Sequence, residues 1–121
     1  IIHRHRSLAG LLLLVITGFA LAEPPPPKLR VGCKSFTENV ILGEIVRQLA
    51  EDAGARADLT ELGGTQVVWR ALLADEIDIY PEYTGTLVKE ILANEKLSTR
   101  EQMVQSLARR GIGISAPLGF V

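Results

Sequence analysis

An α/β fold built on a mainly parallel sheet is predicted by two observations. Short apolar segments of strand character alternate with segments of helical period, and the connections between them are too long for hairpins. Residues 28–33 come first, a strand with Leu29 and Val31 on one face. Ser35-Phe36-Thr37-Glu38 then fits the S-x-x-E capping box. Apolar positions at 41, 45 and 49, with 42 and 46 alongside, continue as a helix that Gly54 closes. Residues 55–61 read as a second, more polar strand, and Gly63-Gly64-Thr65 turns into a helix over residues 66–74. Residues 77–80 form a third strand and residues 84–93 a further helix. Ser98-Thr99-Arg100-Glu101 is a second capping box, opening a helix that runs to Arg109-Arg110 before Gly111, its basic end suiting the helix dipole. Residues 112–116 form the fourth strand, stopped by Pro117.

The first 22 residues read as something other than fold. His3-Arg4-His5-Arg6 is a basic head, residues 8–21 are apolar and Leu-rich, and Ala20-Leu21-Ala22 offers an A-x-A cleavage site. The pattern is that of a secretory signal peptide over residues 1–22, the apolar run being short for a membrane span. An uncleaved anchor, or the last helix of a preceding membrane domain, is the alternative. Residues 23–27, Glu followed by four prolines, make an extended spacer. The chain starts at Ile1 without a methionine and ends at Val121 without a polar tail, so it reads as a fragment, with residues 28–121 its folded part. Arg4 and Arg6 account for two of the 13 basic residues; without the leader, 11 stand against 14 acidic ones, a balance of −3. Neither a basic patch nor an acidic tail appears, which argues against nucleic acid as a partner.

In parallel sheets ligands sit beyond the carboxyl ends of the strands. Three features fall there: Gly32-Cys33-Lys34-Ser35, Leu62-Gly63-Gly64-Thr65 and Tyr83-Thr84-Gly85-Thr86. Lys34, after a strand and beside a helix start, suits an anionic group, against the plainer reading of a solvated lysine. Gly63-Gly64 lets backbone approach a ligand, but with no lysine following it is no phosphate-binding loop and equally fits a plain turn. Tyr80 and Tyr83, the two tyrosines of an aromatic-poor chain, flank the stiffening Pro81. A tyrosine face attracts a cation lacking hydrogen-bond donors, though either ring equally suits packing on the sheet. Catalysis has little support: both histidines fall in the leader, so neither Ser-His nor Cys-His chemistry can be assembled. Cys33, the single cysteine, reads as a buried strand-end residue; beside Lys34 it has the alternative of a reactive thiol. No Cys/His cluster suggests a metal, and nothing implies a cofactor. The carboxylates Glu76, Asp78 and Glu82 read as solvated.

Four motifs in order, Val31-Gly32-Cys33-Lys34-Ser35-Phe36-Thr37-Glu38, Ile41-Leu42-Gly43-Glu44-Ile45, Leu62-Gly63-Gly64-Thr65 and Ile77-Asp78-Ile79-Tyr80-Pro81-Glu82-Tyr83-Thr84-Gly85-Thr86, resemble the substrate-binding proteins of glycine betaine/choline (quaternary-amine) ABC importers. The resemblance runs from about residue 29 to 120. It implies a two-lobed periplasmic-binding fold of type II, with this chain the truncated first lobe and Pro117-Leu118-Gly119-Phe120 near the crossing to the second. It further implies a non-enzymatic, extracytoplasmic protein that hands a quaternary-amine solute to a membrane permease. A receptor domain fused to that permease, or a binding protein for another zwitterion, is the alternative. Carried over by motif, Tyr83 would be a wall of an aromatic cage and Lys34 and Thr86 would meet a ligand carboxylate. Thr65 and Tyr80 lie nearby by motif position. Cys33 departs from the small residues usual in this motif.

Overall fold

The computed structural model describes residues 1–5 and 22–119. The apolar stretch of the expected leader therefore lies outside the described residues. Among those residues, no helix is long and apolar enough to cross a membrane.

The predicted alternation forms. Strands β1 (Ile2–Arg4), β2 (Lys28–Cys33), β3 (Arg56–Glu61), β4 (Ile79–Tyr80) and β5 (Ile112–Ile114) make one sheet in the order β3-β2-β4-β1-β5. β2 pairs in parallel with both β3 and β4, so the carboxyl ends of these three strands rise to one rim. Helices α1 (Thr37–Asp52), α2 (Thr65–Leu73), α3 (Thr84–Thr86) and α4 (Arg100–Ala108) provide the connections. The helix expected over residues 84–93 is irregular. After α3 comes a π-helical turn over Leu87–Ile91, closed by the Leu92 N–H donating to the Leu87 carbonyl at 2.8 Å, and then a 3₁₀ turn over Ala93–Glu95.

One strand was not expected. β1 comes from the segment set aside as a leader, and it runs antiparallel between two others: Ile2 lies opposite Tyr80 on β4 and Ile114 on β5. Its inward residue explains the fit. Ile2 is fully buried in the main apolar cluster with Val68, Leu72, Tyr80, Leu107 and Ile112, while Arg4 reaches out to donate to the Leu73 carbonyl at 3.1 Å. A fifth strand here satisfies ladder groups of β4 and β5 that would otherwise face each other across a gap.

Helix α1 shows the limit of reading a face from apolar period. The helix is present, yet Ile41, Ile45 and Leu49 are 54%, 49% and 61% exposed, whereas Asn39, Gly43 and Val46 are buried. Gly43 sets this orientation. A Cβ at that position would stand 2.8 Å from Leu59 Cδ1 and 3.1 Å from Cys33 Cβ, so the helix lies directly on β2 and β3 through its smallest residue.

Below the rim, Arg30 clamps β2 to the loop before β4. Its guanidinium forks onto both Asp78 oxygens at 3.1 and 2.8 Å, and its own N–H donates to Asp78 at 2.8 Å. Asp78 therefore ties strands together instead of standing solvated as expected. At the far end of α1, Gly54 has φ +89°, donates to the Glu51 carbonyl and lets Ala55 donate back to Ala50, both at 2.9 Å. This paired closure needs a left-handed residue. Gly54→Ala should cost about 1 kcal/mol in urea denaturation, since no atom lies near an added Cβ and the strain is the backbone's alone.

Candidate ligand site

Two loops meet at the rim, one leaving β2 and the other leaving β4. Asn39, fully buried near the start of α1, joins them: its Oδ1 accepts the Lys34 N–H at 2.6 Å and its Nδ2 donates to the Pro81 carbonyl at 3.1 Å. A third loop is tied in by the Ser35 N–H, which donates to the Gly63 carbonyl at 2.9 Å. Gly63 sits at φ +103°, a conformation that favours glycine, so this turn depends on its type.

Between the joined loops lies a buried ion pair. Lys34 Nζ donates to Glu82 Oε1 at 2.5 Å, with only 5% and 0% of the two side chains exposed. The same oxygen accepts the Tyr83 N–H at 2.9 Å, which fixes the backbone where the tyrosine ring departs. Lys34 is thus no solvated surface lysine, and Glu82 is no solvated carboxylate. Tyr80 lies fully buried beneath; its hydroxyl and Glu82 Oε2 are both buried without a well-formed hydrogen bond among the described residues. Burial, and then the neighbouring Glu82 charge, push the Tyr80 phenol well above its ordinary range. Tyr80 supports the ion pair from below and does not line the cleft.

Above the ion pair stand two rings. Phe36 and Tyr83 stack with centroids 6.2 Å apart and planes inclined by 26°. The Lys34 ammonium lies 5.2 Å from the Tyr83 centroid and 5.6 Å from that of Phe36, within cation–π range of both. The Tyr83 hydroxyl donates to the Glu38 carboxylate. Burial first, and this bond next, raise the Tyr83 ionisation, so the ring stays neutral at physiological pH.

That bond also corrects the expected capping box. α1 begins after Phe36, in extended backbone, with no side-chain cap; Ser35 is a bridging residue and Glu38 serves Tyr83. The second box does form, one residue later than expected, between Thr99 and Gln102.

A cleft of about 520 Å³ opens beside the rings. Glu38, Tyr83, Thr84 and Gly85 line it together with Arg100, Ser115 and Ile1, the last from the segment expected as a leader. Of the five residues singled out from sequence, Lys34, Tyr80 and Tyr83 gather around Glu82. Thr86 lies in α3 behind the lining Thr84 and Gly85, and Thr65 opens α2; neither lines the cleft. Cys33 is buried, and burial with the Glu61 charge pushes its thiol up, against a reactive thiolate.

The family model for the substrate-binding domain of ABC-type glycine betaine transport systems matches residues 27–120. The chain belongs to this family. Its open, mostly parallel sheet is accordingly that of the type II periplasmic-binding fold. A relative, the glycine betaine-binding protein YehZ of Escherichia coli (strain K12), is 41% identical over 77 residues, covering 63% of this chain. The match spans 25% of that relative's length, so the chain corresponds to a minor part of a whole protein of this kind. The family is one of substrate-binding transport proteins, not of enzymes.

Sequence reasoning missed four residues at or beside the cleft. Phe36 and Glu38 were absorbed into the capping motif, although an exposed-side phenylalanine in a helix cap was itself a signal. Asn39 gave none, since a helix-interior asparagine reads as surface. Arg100 was assigned to a cap and reaches the cleft only through tertiary placement.

Proposed function

We propose that this chain is the first-lobe portion of an extracytoplasmic binding protein that captures a quaternary-amine compatible solute, glycine betaine, choline or a close analogue, and delivers it to an ABC importer permease. The supporting observation is the Tyr83 ring, which lines the cleft and stacks on Phe36, with a cation already resting against both rings. Faces that hold the Lys34 ammonium suit a trimethylammonium group for the same electrostatic reason. Tyr83 is the cage wall of this lobe, and Thr86 is retained as a hydroxyl partner reached on closure. Tyr80 and Pro81 aim and stiffen the loop, Thr65 is a nearby hydroxyl at the start of α2, and Lys34 poises Tyr83 through Glu82. No bond is made or broken; ligand bridging two lobes would stabilise a closed state by hinge motion.

Export through a cleaved leader over residues 1–22 belongs to the same proposal. Cleavage after Ala22 would withdraw β1 and vacate its place between β4 and β5.

The experiment is calorimetry on the complete binding protein that contains this lobe. Tyr83→Ala should weaken betaine or choline binding at least several-fold, since each aromatic face is worth roughly 0.5–2 kcal/mol toward a cation. Unchanged affinity would remove Tyr83 from the site.

A further inference from the structure

We propose that β1 is a placeholder carried by the leader, an assignment that rests on the reading of residues 1–22 as a cleaved leader. While attached, it fills the sheet position between β4 and β5 and intrudes on the adjoining cleft. The unprocessed protein is thereby held out of its ligand-binding form until the leader is removed.

The fit of β1 is specific at each of its residues. Main-chain bonds tie it at both ends: the Ser115 N–H donates to the Ile1 carbonyl at 3.0 Å, the Arg4 N–H to the Asp78 carbonyl at 3.3 Å, and the His5 N–H to the Gly111 carbonyl at 2.7 Å. Ile2 is fully buried in the apolar cluster that holds Leu72, Tyr80 and Ile112. Gly113 lies opposite His3, and a Cβ there would stand 2.6 Å from His3 Nε2, so the imidazole occupies room that glycine leaves. Arg4 donates to the carbonyl of Leu73, the last residue of α2, and sets a positive charge at the negative end of that helix. A basic residue that suits an export signal thus also caps a helix of the folded part.

Occupancy has two consequences. Ile1 lines the cleft with Tyr83, Arg100 and Ser115, so the leader takes space from a ligand. The leader also holds an interior strand position. Once it departs, ladder groups of β4 and β5 lose their partners, and Tyr80 and Ile112 lose their cover. The processed protein refills the gap with a strand from outside this chain, which matches only 25% of its relative's length. Two strands cannot hold one place, so the leader strand and its replacement exclude each other.

The test uses the complete binding protein in two forms, one carrying residues 1–22 and one starting at Glu23. Hydrogen exchange on the folded unprocessed form should show the amides of residues 2–4 protected about ten-fold or more over a free chain. Calorimetry should show that form binding glycine betaine about ten-fold or more weakly than the processed one. Ile2→Asp, which alters the leader alone, should abolish the protection and restore the affinity, because a carboxylate cannot take the buried position. Leu12→Asp, in the apolar stretch, should do neither. Free exchange at residues 2–4, equal affinity of the two forms, or recovery with Leu12→Asp would each overturn the placeholder. If neither form binds glycine betaine or choline, the quaternary-amine reading fails, whereas protection that Ile2→Asp abolishes would still uphold the placeholder. An exported protein that retains residues 1–22 would overturn the leader reading and this assignment with it.

Discussion

Glu82→Ala should destabilise the fold by about 3–5 kcal/mol, because it leaves a buried ammonium with no counter-ion. Lys34 and Glu82 expose only 5% and 0% of their side chains, so solvent cannot take over the lost contact without rearrangement. The substitution also deprives the Tyr83 N–H of its acceptor. The pair itself contributes less than this figure suggests, since bringing two charges out of water offsets much of their attraction. Hence Lys34→Met combined with Glu82→Leu should cost much less than either change alone. Urea denaturation of the two single variants and the double variant measures the coupling. Additive losses would show that Lys34 swings to solvent once Glu82 is gone, and that the pair is no unit.

Such a pair was invisible in the sequence for a definable reason. Lys34 and Glu82 are 48 positions apart, and each alone looks like an ordinary surface charge. Only the parallel pairing of β2 with β4 sets their loops side by side. What was legible is what local physics decides. The strand over Lys28–Cys33 and the closure of α1 at Gly54 came out at the expected residues, because alternation and a left-handed glycine are local properties. The buried face of α1 was not legible, since the apolar residues 41, 45 and 49 outnumber the glycine that meets the sheet. Nor was β1, whose basic residues matched an export signal more closely than a strand. Tyr83 was singled out because a tyrosine between Pro81 and Gly85 is unusual on its own, and it lines the cleft. Phe36 and Arg100 needed tertiary placement to become visible.

Asn39 should be the second most sensitive position, and its variants connect stability to ligand capture. Asn39→Leu keeps roughly the volume but strands two buried backbone groups, the Lys34 N–H and the Pro81 carbonyl. Each such group costs about 1–3 kcal/mol when buried without a partner, and apolar burial of the leucine offsets part of the sum, so a loss of about 2–4 kcal/mol is expected. Asn39→Asp should lose stability too, since its carboxylate keeps the Lys34 N–H but faces the Pro81 carbonyl with an acceptor in place of a donor. The consequence for binding follows from position. Pro81 stands two residues before Tyr83, and Asn39 is the side chain that ties its carbonyl to the β2 loop. Freeing that carbonyl lets the ring depart from its stacked position against Phe36, so affinity for a quaternary amine should fall as well as the melting temperature. Gly54→Ala is the matched control, because it weakens the fold at the opposite end of α1 without touching the loop. Betaine affinity that drops in Asn39→Leu but holds in Gly54→Ala, measured well below both melting temperatures, would assign Asn39 the positioning of Tyr83. Affinity that holds in both would confine Asn39 to stability.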